Sequence, residues 1–267
     1  MSDFNALFRS TIGFPENRPV DFDALDTVLD KTAAAFPFEN LAILSKRTGE
    51  ITKDRLVRKM LADRQGGLCY ELNPLLYLFL IDNGWDAALV RGEVFDHDRN
   101  DWTRLGRTHV AILARHEGRT YLVDTGFGTN LALKPIPLDG QAVESRNGEF
   151  RVRAMRSDYG NYVLEMKLRH KHTEWRLGYA FDSERTFGDL SEVNEVQRII
   201  VGDDRSPFNK TPLVTRLTAD GRVTLTANSL TRWENGVMTK EPVDEGRFRE
   251  LAREWFGLRL AAGKGDV

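Results

Sequence analysis

Up to about residue 84 the apolar positions recur at helical spacing. Phe22, Leu25, Val28 and Leu29 form one stripe after Pro19, and Leu56, Met60 and Leu61 form another in ITKDRLVRKMLADR, where Thr52 offers an N-cap hydroxyl. Leu72, Leu75, Leu76, Phe79 and Leu80 fall at i, i+3, i+4, i+7 and i+8, which predicts one buried helical face stopped by Asn83-Gly84. Pro74 has no N–H to give a helix interior, so that helix is expected to begin between Cys69 and Asn73, with the proline in its first turn.

From residue 86 the period changes to that of strands. Ala87–Val94, Thr108–Ala114, Thr120–Asp124, Phe150–Met155, Tyr162–Lys167 and Glu174–Tyr179 are the candidates, divided by turn signals at Glu117-Gly118, Asp139-Gly140 and Asn147-Gly148. Short strands at this spacing predict a barrel or sandwich. After Phe187 the pattern mixes a short helix, two strands around Asp220-Gly221 and a final helix in DEGRFRELAREWFGL. The expected division is therefore 1–85 helical, 86–187 β and 188–267 mixed α/β. A prior of ~150 residues per domain fits a 267-residue chain of this kind.

Composition narrows the function. With 38 basic and 40 acidic side chains the formal charge is −2, which argues against a nucleic-acid or acidic-membrane binder. The start MSDFNALFRSTIGF lacks the basic end and apolar run of a signal peptide, and the longest apolar run, Leu75 to Ile81, falls short of the ~20 residues that span a bilayer. A cytoplasmic location is expected. One cysteine, Cys69, leaves no internal disulfide and no cysteine-based zinc site.

That cysteine is expected at or just before a helix N-terminus, where the dipole and unpaired N–H groups favour thiolate. Gly66 and Gly67 ahead of it would allow a tight backbone approach and expose N–H groups to an oxyanion. The alternative is a thiol that only fills space. Among five histidines, His109 lies inside the apolar strand THVAILA. A two-residue turn at Glu117-Gly118 sets Asp124 opposite Ala111, two residues from His109 on the same face, so the two side chains become diagonal neighbours with Cβ atoms roughly 7–8 Å apart. A carboxylate so placed can hold an imidazole in the tautomer that meets a thiol. Gly126 and Gly128 would bring backbone close to a ligand, with Phe127 as an apolar contact.

Four segments in register resemble the arylamine N-acetyltransferase family: F-P-F-E-N-L (Phe36–Leu41), R-Q-G-G-L-C-Y-E-L-N (Arg64–Asn73), T-H-V-A-I-L (Thr108–Leu113) and Y-L-V-D-T-G-F-G (Tyr121–Gly128), with S-P-F (Ser206–Phe208) as a later match. The likeness covers about residues 3–210. It implies an α+β fold with a helical bundle, a β-barrel and an α/β lid around a cysteine-protease-like core. It also implies a Cys69-His109-Asp124 triad, substrate or CoA contacts at Phe38, Thr108, Gly126, Phe127 and Gly128, no metal, and no bound cofactor. The implied reaction moves an acetyl group from acetyl-CoA, a cosubstrate, to a small aromatic amine or hydrazine through an acetyl-cysteine. Such an enzyme belongs to xenobiotic metabolism.

Two positions depart from the family pattern. The arginine before the glycine pair is Gln65 here, so the expected ion pair with Glu39 passes to Arg64. Leu68 replaces an aromatic residue and would alter a pocket wall. Other readings remain: an amide synthase of natural-product assembly, a cysteine hydrolase or transglutaminase-like enzyme, and a binding domain with an inert Cys69. His170, His172 and Glu174 at i, i+2, i+4 would share a strand face that could hold a metal, against a solvated turn. The run Phe95–Arg107 reads as a loop over the barrel, either solvated or contacting CoA phosphates through Arg99, Arg104 or Arg107.

Overall fold

The computed structural model describes residues 1–260. Helices lead: α1 (Asp3–Ile12), α2 (Phe22–Ala35), α3 (Leu41–Leu44), α4 (Lys53–Leu56) continuing into a π-helical turn (Val57–Ala62), and α5 (Cys69–Asp82). Thr52 caps α4 as expected, its Oγ1 accepting from the Arg55 N–H at 3.2 Å. α5 begins at Cys69 and is buried almost all round, Leu72, Leu75, Leu76, Phe79 and Leu80 among the least exposed residues. Pro74 is its sixth residue, past the first turn where the sequence placed it. The missing intrahelical bond is tolerated because the surrounding core, including the Phe8–Phe79 stack at 4.2 Å, holds the helix.

The strand region is one antiparallel sheet that curls toward closure. It contains β2 (Asp86–Asp96), β3 (Asp101–Trp102), β4 (His109–His116), β5 (Arg119–Val123), β6 (Ile136–Pro137), β7 (Val143–Ser145), β8 (Gly148–Ser157), β9 (Gly160–Leu168) and β10 (Arg176–Phe187). The order is β6-β5-β4-β2-β10-β9-β8-β7, with β3 folded back on β2, and β6 touches β8. Glu117 and Gly118 both have positive φ, 48° and 74°, as a two-residue hairpin turn requires. The predicted β4–β5 register follows, Ile112 pairing with Val123 and Leu113 with Leu122. The expected loop Phe95–Arg107 is partly strand, since β2 runs on to Asp96 and β3 returns along it. β10 is also longer than its predicted Glu174–Tyr179, its second half carried past a register shift between Phe181 and Thr186.

After α6 (Ser191–Gly202) come β11 (Leu213–Thr218), β12 (Gly221–Thr226), β13 (Ser229–Glu234), β14 (Val237–Pro242) and α7 (Glu245–Phe256). The β13–β14 hairpin was missed, although Asn235-Gly236, at φ 50° and 84°, is a strong hairpin turn signal. A two-residue strand from the helical region, β1 (Phe38–Glu39), is the edge of this second sheet, in the order β1-β11-β12-β13-β14. Residues 261–267 of the predicted mixed segment lie outside the described residues. Among the described residues no helix is long and apolar enough to cross a membrane.

Candidate active site

Cys69 is the first residue of α5, preceded by Leu68 in extended backbone (φ −94°, ψ −179°). The thiol is buried, its Sγ 3.5 Å from the Thr108 carbonyl oxygen and within hydrogen-bonding reach of the His109 ring. The glycine pair serves another purpose than the sequence suggested. The Gly67 N–H donates to Pro37 O at 3.2 Å, and the next N–H along, that of Leu68, to Glu71 Oε2 at 3.3 Å, so neither of these two is free for an oxyanion. A Cβ on Gly66 would stand 2.0 Å from Pro37 O, and one on Gly67 2.6 Å from Glu71 Oε2. The glycines are there to pack the segment against β1. In the first turn of α5 the Glu71 N–H turns back to Leu68 O at 2.9 Å, which leaves the N–H groups of Cys69 and Tyr70 for an oxyanion.

β4 and the end of β5 bring the other two predicted side chains together. His109 Nε2 lies 2.7 Å from Asp124 Oδ2, which leaves Nδ1 for the thiol. Asp124 is held from four directions. Oδ2 also accepts from the Tyr179 hydroxyl at 2.8 Å, while Oδ1 accepts from Asn73 Nδ2 at 2.8 Å and the Gly126 N–H at 2.7 Å. Asn73, fully buried one turn after Cys69, also donates to Val110 O at 2.6 Å and accepts from the Thr125 N–H at 2.9 Å. It thereby ties α5 to both strands. Sequence reasoning gave neither Asn73 nor Tyr179 a role. Asn73 carried a readable signal, a polar residue on a face otherwise made of leucines.

Burial alone would lower the His109 pKa, but the charge and hydrogen bond of Asp124, aided by Cys69, raise it to about 10. Burial pushes the Asp124 carboxyl up; the His109 charge and bond, Asn73 and the Gly126 N–H outweigh that and hold it below the usual aspartate range. The imidazole is therefore kept as imidazolium at neutral pH.

Of the predicted contacts, Thr108 meets the sulfur through its carbonyl, and Gly126 packs against the start of α5: a Cβ there would meet Cys69 Cα at 2.6 Å and Asn73 Nδ2 at 2.7 Å. Phe127 packs beside His109 at 5.0 Å and edge-on to Tyr179 at 5.1 Å. Phe38 pairs by a β-bridge with Gly67 and sets its ring edge-on to Phe208 at 5.6 Å, so the later S-P-F segment does reach this region. Gly128 turns the chain at φ 63° with open space where a Cβ would be.

A family model described as N-acetyltransferase matches residues 21–264. The chain belongs to the arylamine N-acetyltransferase family. Its relatives include an uncharacterized acetyltransferase, YvcN, of Bacillus subtilis, 42% identical over 96% of this chain and 98% of that one. The crystal structure of an arylamine N-acetyltransferase of Bacillus cereus, which reveals a Cys-His-Glu catalytic triad, superposes with a TM-score of 0.92 at 40% identity, covering 97% of this chain and 100% of that one. An arylamine N-acetyltransferase of Salmonella typhimurium does so with a TM-score of 0.85 at 27% identity, covering 100% and 95%. These matches carry the α+β fold and make the protein an acyltransferase.

This member of the family departs from the sequence expectation at the ion pair behind α5. Arg64 makes no pair with Glu39. Lys59, projecting from the π-helical turn, lies 2.6 Å from Glu71 Oε1 and 3.7 Å from Glu39 Oε1, all three buried. Leu68, expected at a pocket wall, is 1% exposed within the helical core. The metal reading loses its premise because His170 and His172 sit in a turn. The His172 Nδ1 accepts from the Leu168 N–H at 3.3 Å, and burial with the nearby Lys171, Arg176, His97 and Arg222 lowers its pKa to about 4. In the charged run, Arg99 and Arg104 pair with Asp96 and Asp101, and Arg107 donates to Asp158 O.

Proposed function

We propose that this acyltransferase moves an acetyl group from acetyl-CoA to the nitrogen of an arylamine or arylhydrazine by a ping-pong route, with Cys69, His109 and Asp124 as its triad. The observation that carries the reading is the buried Cys69 sulfur at a helix start, within reach of an imidazole whose far nitrogen is 2.7 Å from a carboxylate. In the first half-reaction the Cys69 thiolate attacks the thioester carbonyl, and the Cys69 N–H faces the developing oxyanion. The C–S bond to CoA breaks, and the departing thiolate takes the proton from His109. In the second, the amine nitrogen attacks the acetyl-cysteine, His109 accepts the amine proton, and Cys69 leaves as thiolate. Asp124 holds the ring through Nε2 in both steps. Phe38, Phe127 and Thr108 would border the acyl and aromatic groups. A lone thiol nucleophile suits a reducing compartment such as the cytoplasm.

The kinetic order tests this directly. Initial rates measured across concentrations of acetyl-CoA and an aromatic hydrazine are expected to give parallel double-reciprocal lines, the mark of a substituted-enzyme intermediate. Intersecting lines would mean a ternary complex and no acetyl-cysteine.

A further inference from the structure

Immediately before Thr108 and His109 the chain makes an unusual turn. Arg104, Gly106 and Arg107 all have left-handed backbone, at φ 55°, 95° and 58°. Such conformations outside glycine persist only where neighbours impose them. The neighbours here are two charged residues of β2. Glu93 is completely buried, and its carboxylate is spent on this one segment: Oε1 accepts from the Thr103 hydroxyl and from the Leu105 N–H at 3.0 Å, and Oε2 from the N–H groups of Gly106 at 3.2 Å and Arg107 at 2.6 Å. Arg91 takes the carbonyls, its Nε donating to Arg107 O at 3.0 Å and its Nη2 to Gly106 O at 2.8 Å, while Nη1 pairs with Glu195 of α6 at 3.1 Å. One residue grips the donors of the turn and the other its acceptors.

The geometry of β2 links that grip to the thiol. Arg91 and Glu93 flank Gly92, and the ladder partner of Gly92 is His109. The gripped segment ends at Thr108, whose carbonyl oxygen is the one facing Cys69 Sγ. We propose that Glu93, supported by Arg91, is a positioning residue for Cys69: fixing segment 103–107 sets where the Thr108 carbonyl and the His109 ring stand against the sulfur. This rests on Cys69 being the nucleophile. It assigns work to a buried carboxylate that touches no member of the proposed triad.

The test is the pH profile of Cys69 alkylation by iodoacetamide, followed by intact mass, in the parent protein, Glu93→Gln and Arg91→Gln, with thermal midpoints recorded alongside. Glutamine keeps the shape of the side chain but turns an NH₂ toward two donors, so the turn must relax. Glu93→Gln is expected to slow alkylation at pH 6 by about 10²-fold, the drop in thiolate fraction at that pH for a thiol that titrates near its ordinary value of about 8.5. Its profile should move from the flat form of a thiolate-imidazolium pair toward the rise of an ordinary thiol near about 8.5. Arg91→Gln should shift the profile in the same direction by less. It decides the matter alone if Glu93→Gln does not fold. A folded variant with a lower midpoint but the parent profile would overturn the positioning role, leaving only a structural one. A parent profile that already rises like an ordinary thiol would instead overturn the nucleophile reading, and this proposal with it.

Discussion

Asp124→Asn is expected to slow acyl transfer by about 10⁴-fold, the scale of loss when a triad histidine is held in the wrong tautomer. Every group around Asp124 is a donor or must act as one: His109 Nε2 and the Tyr179 hydroxyl at Oδ2, Asn73 Nδ2 and the Gly126 N–H at Oδ1. An amide can satisfy only one side. If its NH₂ points to Asn73 and Gly126, it meets two donors within a buried site, which costs about 1–3 kcal/mol for the unpaired groups. If it points to His109, the ring must accept at Nε2 and carry its proton on Nδ1, toward the sulfur, where it cannot take the thiol proton. Either way the imidazolium loses the charge that raises its pKa to about 10. Steady-state rates, with circular dichroism to verify the fold, check this. A loss below about tenfold would show that the carboxylate does not orient the ring.

Lys59→Met is expected to destabilise the protein by about 3–5 kcal/mol, the cost of breaking a buried charge pair from one side. Methionine matches the aliphatic stem of lysine but leaves Glu39 and Glu71 in the core without their cation. Burial already raises the Glu39 pKa, with Glu71 adding to the rise and Lys59 opposing it. With Lys59 gone, burial and Glu71 still raise it and only the Leu41 N–H, 2.6 Å from Glu39 Oε2, still opposes them. A carboxyl whose folded pKa lies above its unfolded value contributes stability at low pH and loses it as pH rises through the folded pKa. Urea unfolding should therefore find a larger deficit at pH 8 than at pH 5. A loss under about 1 kcal/mol would class the cluster with exposed ion pairs. The site would suffer too, because Glu71 caps the Leu68 N–H at the entrance to α5.

The parts of this molecule that follow from short-range rules were legible in the sequence. The buried face of α5, the β4–β5 register and the His109–Asp124 contact came from side-chain periodicity and one two-residue turn, in which each residue constrains the next. What escaped depends on separate segments of the chain meeting in space. Lys59 replaces the expected arginine because a π-helical turn redirects its side chain, and no local spacing reports that. Tyr179 reaches Asp124 across 55 positions, from a strand whose sequence marks it only as apolar. The glycine pair was read correctly as a close approach, but toward Pro37 and Glu71 rather than a ligand. Glu93 is the most instructive omission. A lone acid inside an apolar strand demands partners, and the donors of residues 103–107 supply them ten or more positions later.

The central claim is a covalent acetyl-Cys69 that forms without an acceptor. Intact mass after incubation with acetyl-CoA alone should show a gain of about 42 Da, absent in Cys69→Ala and lost from the parent on adding an aromatic amine or hydrazine. A parent that stays unmodified while its thiol still reacts with iodoacetamide, or a Cys69→Ala protein that is acetylated and turns over normally, would contradict it.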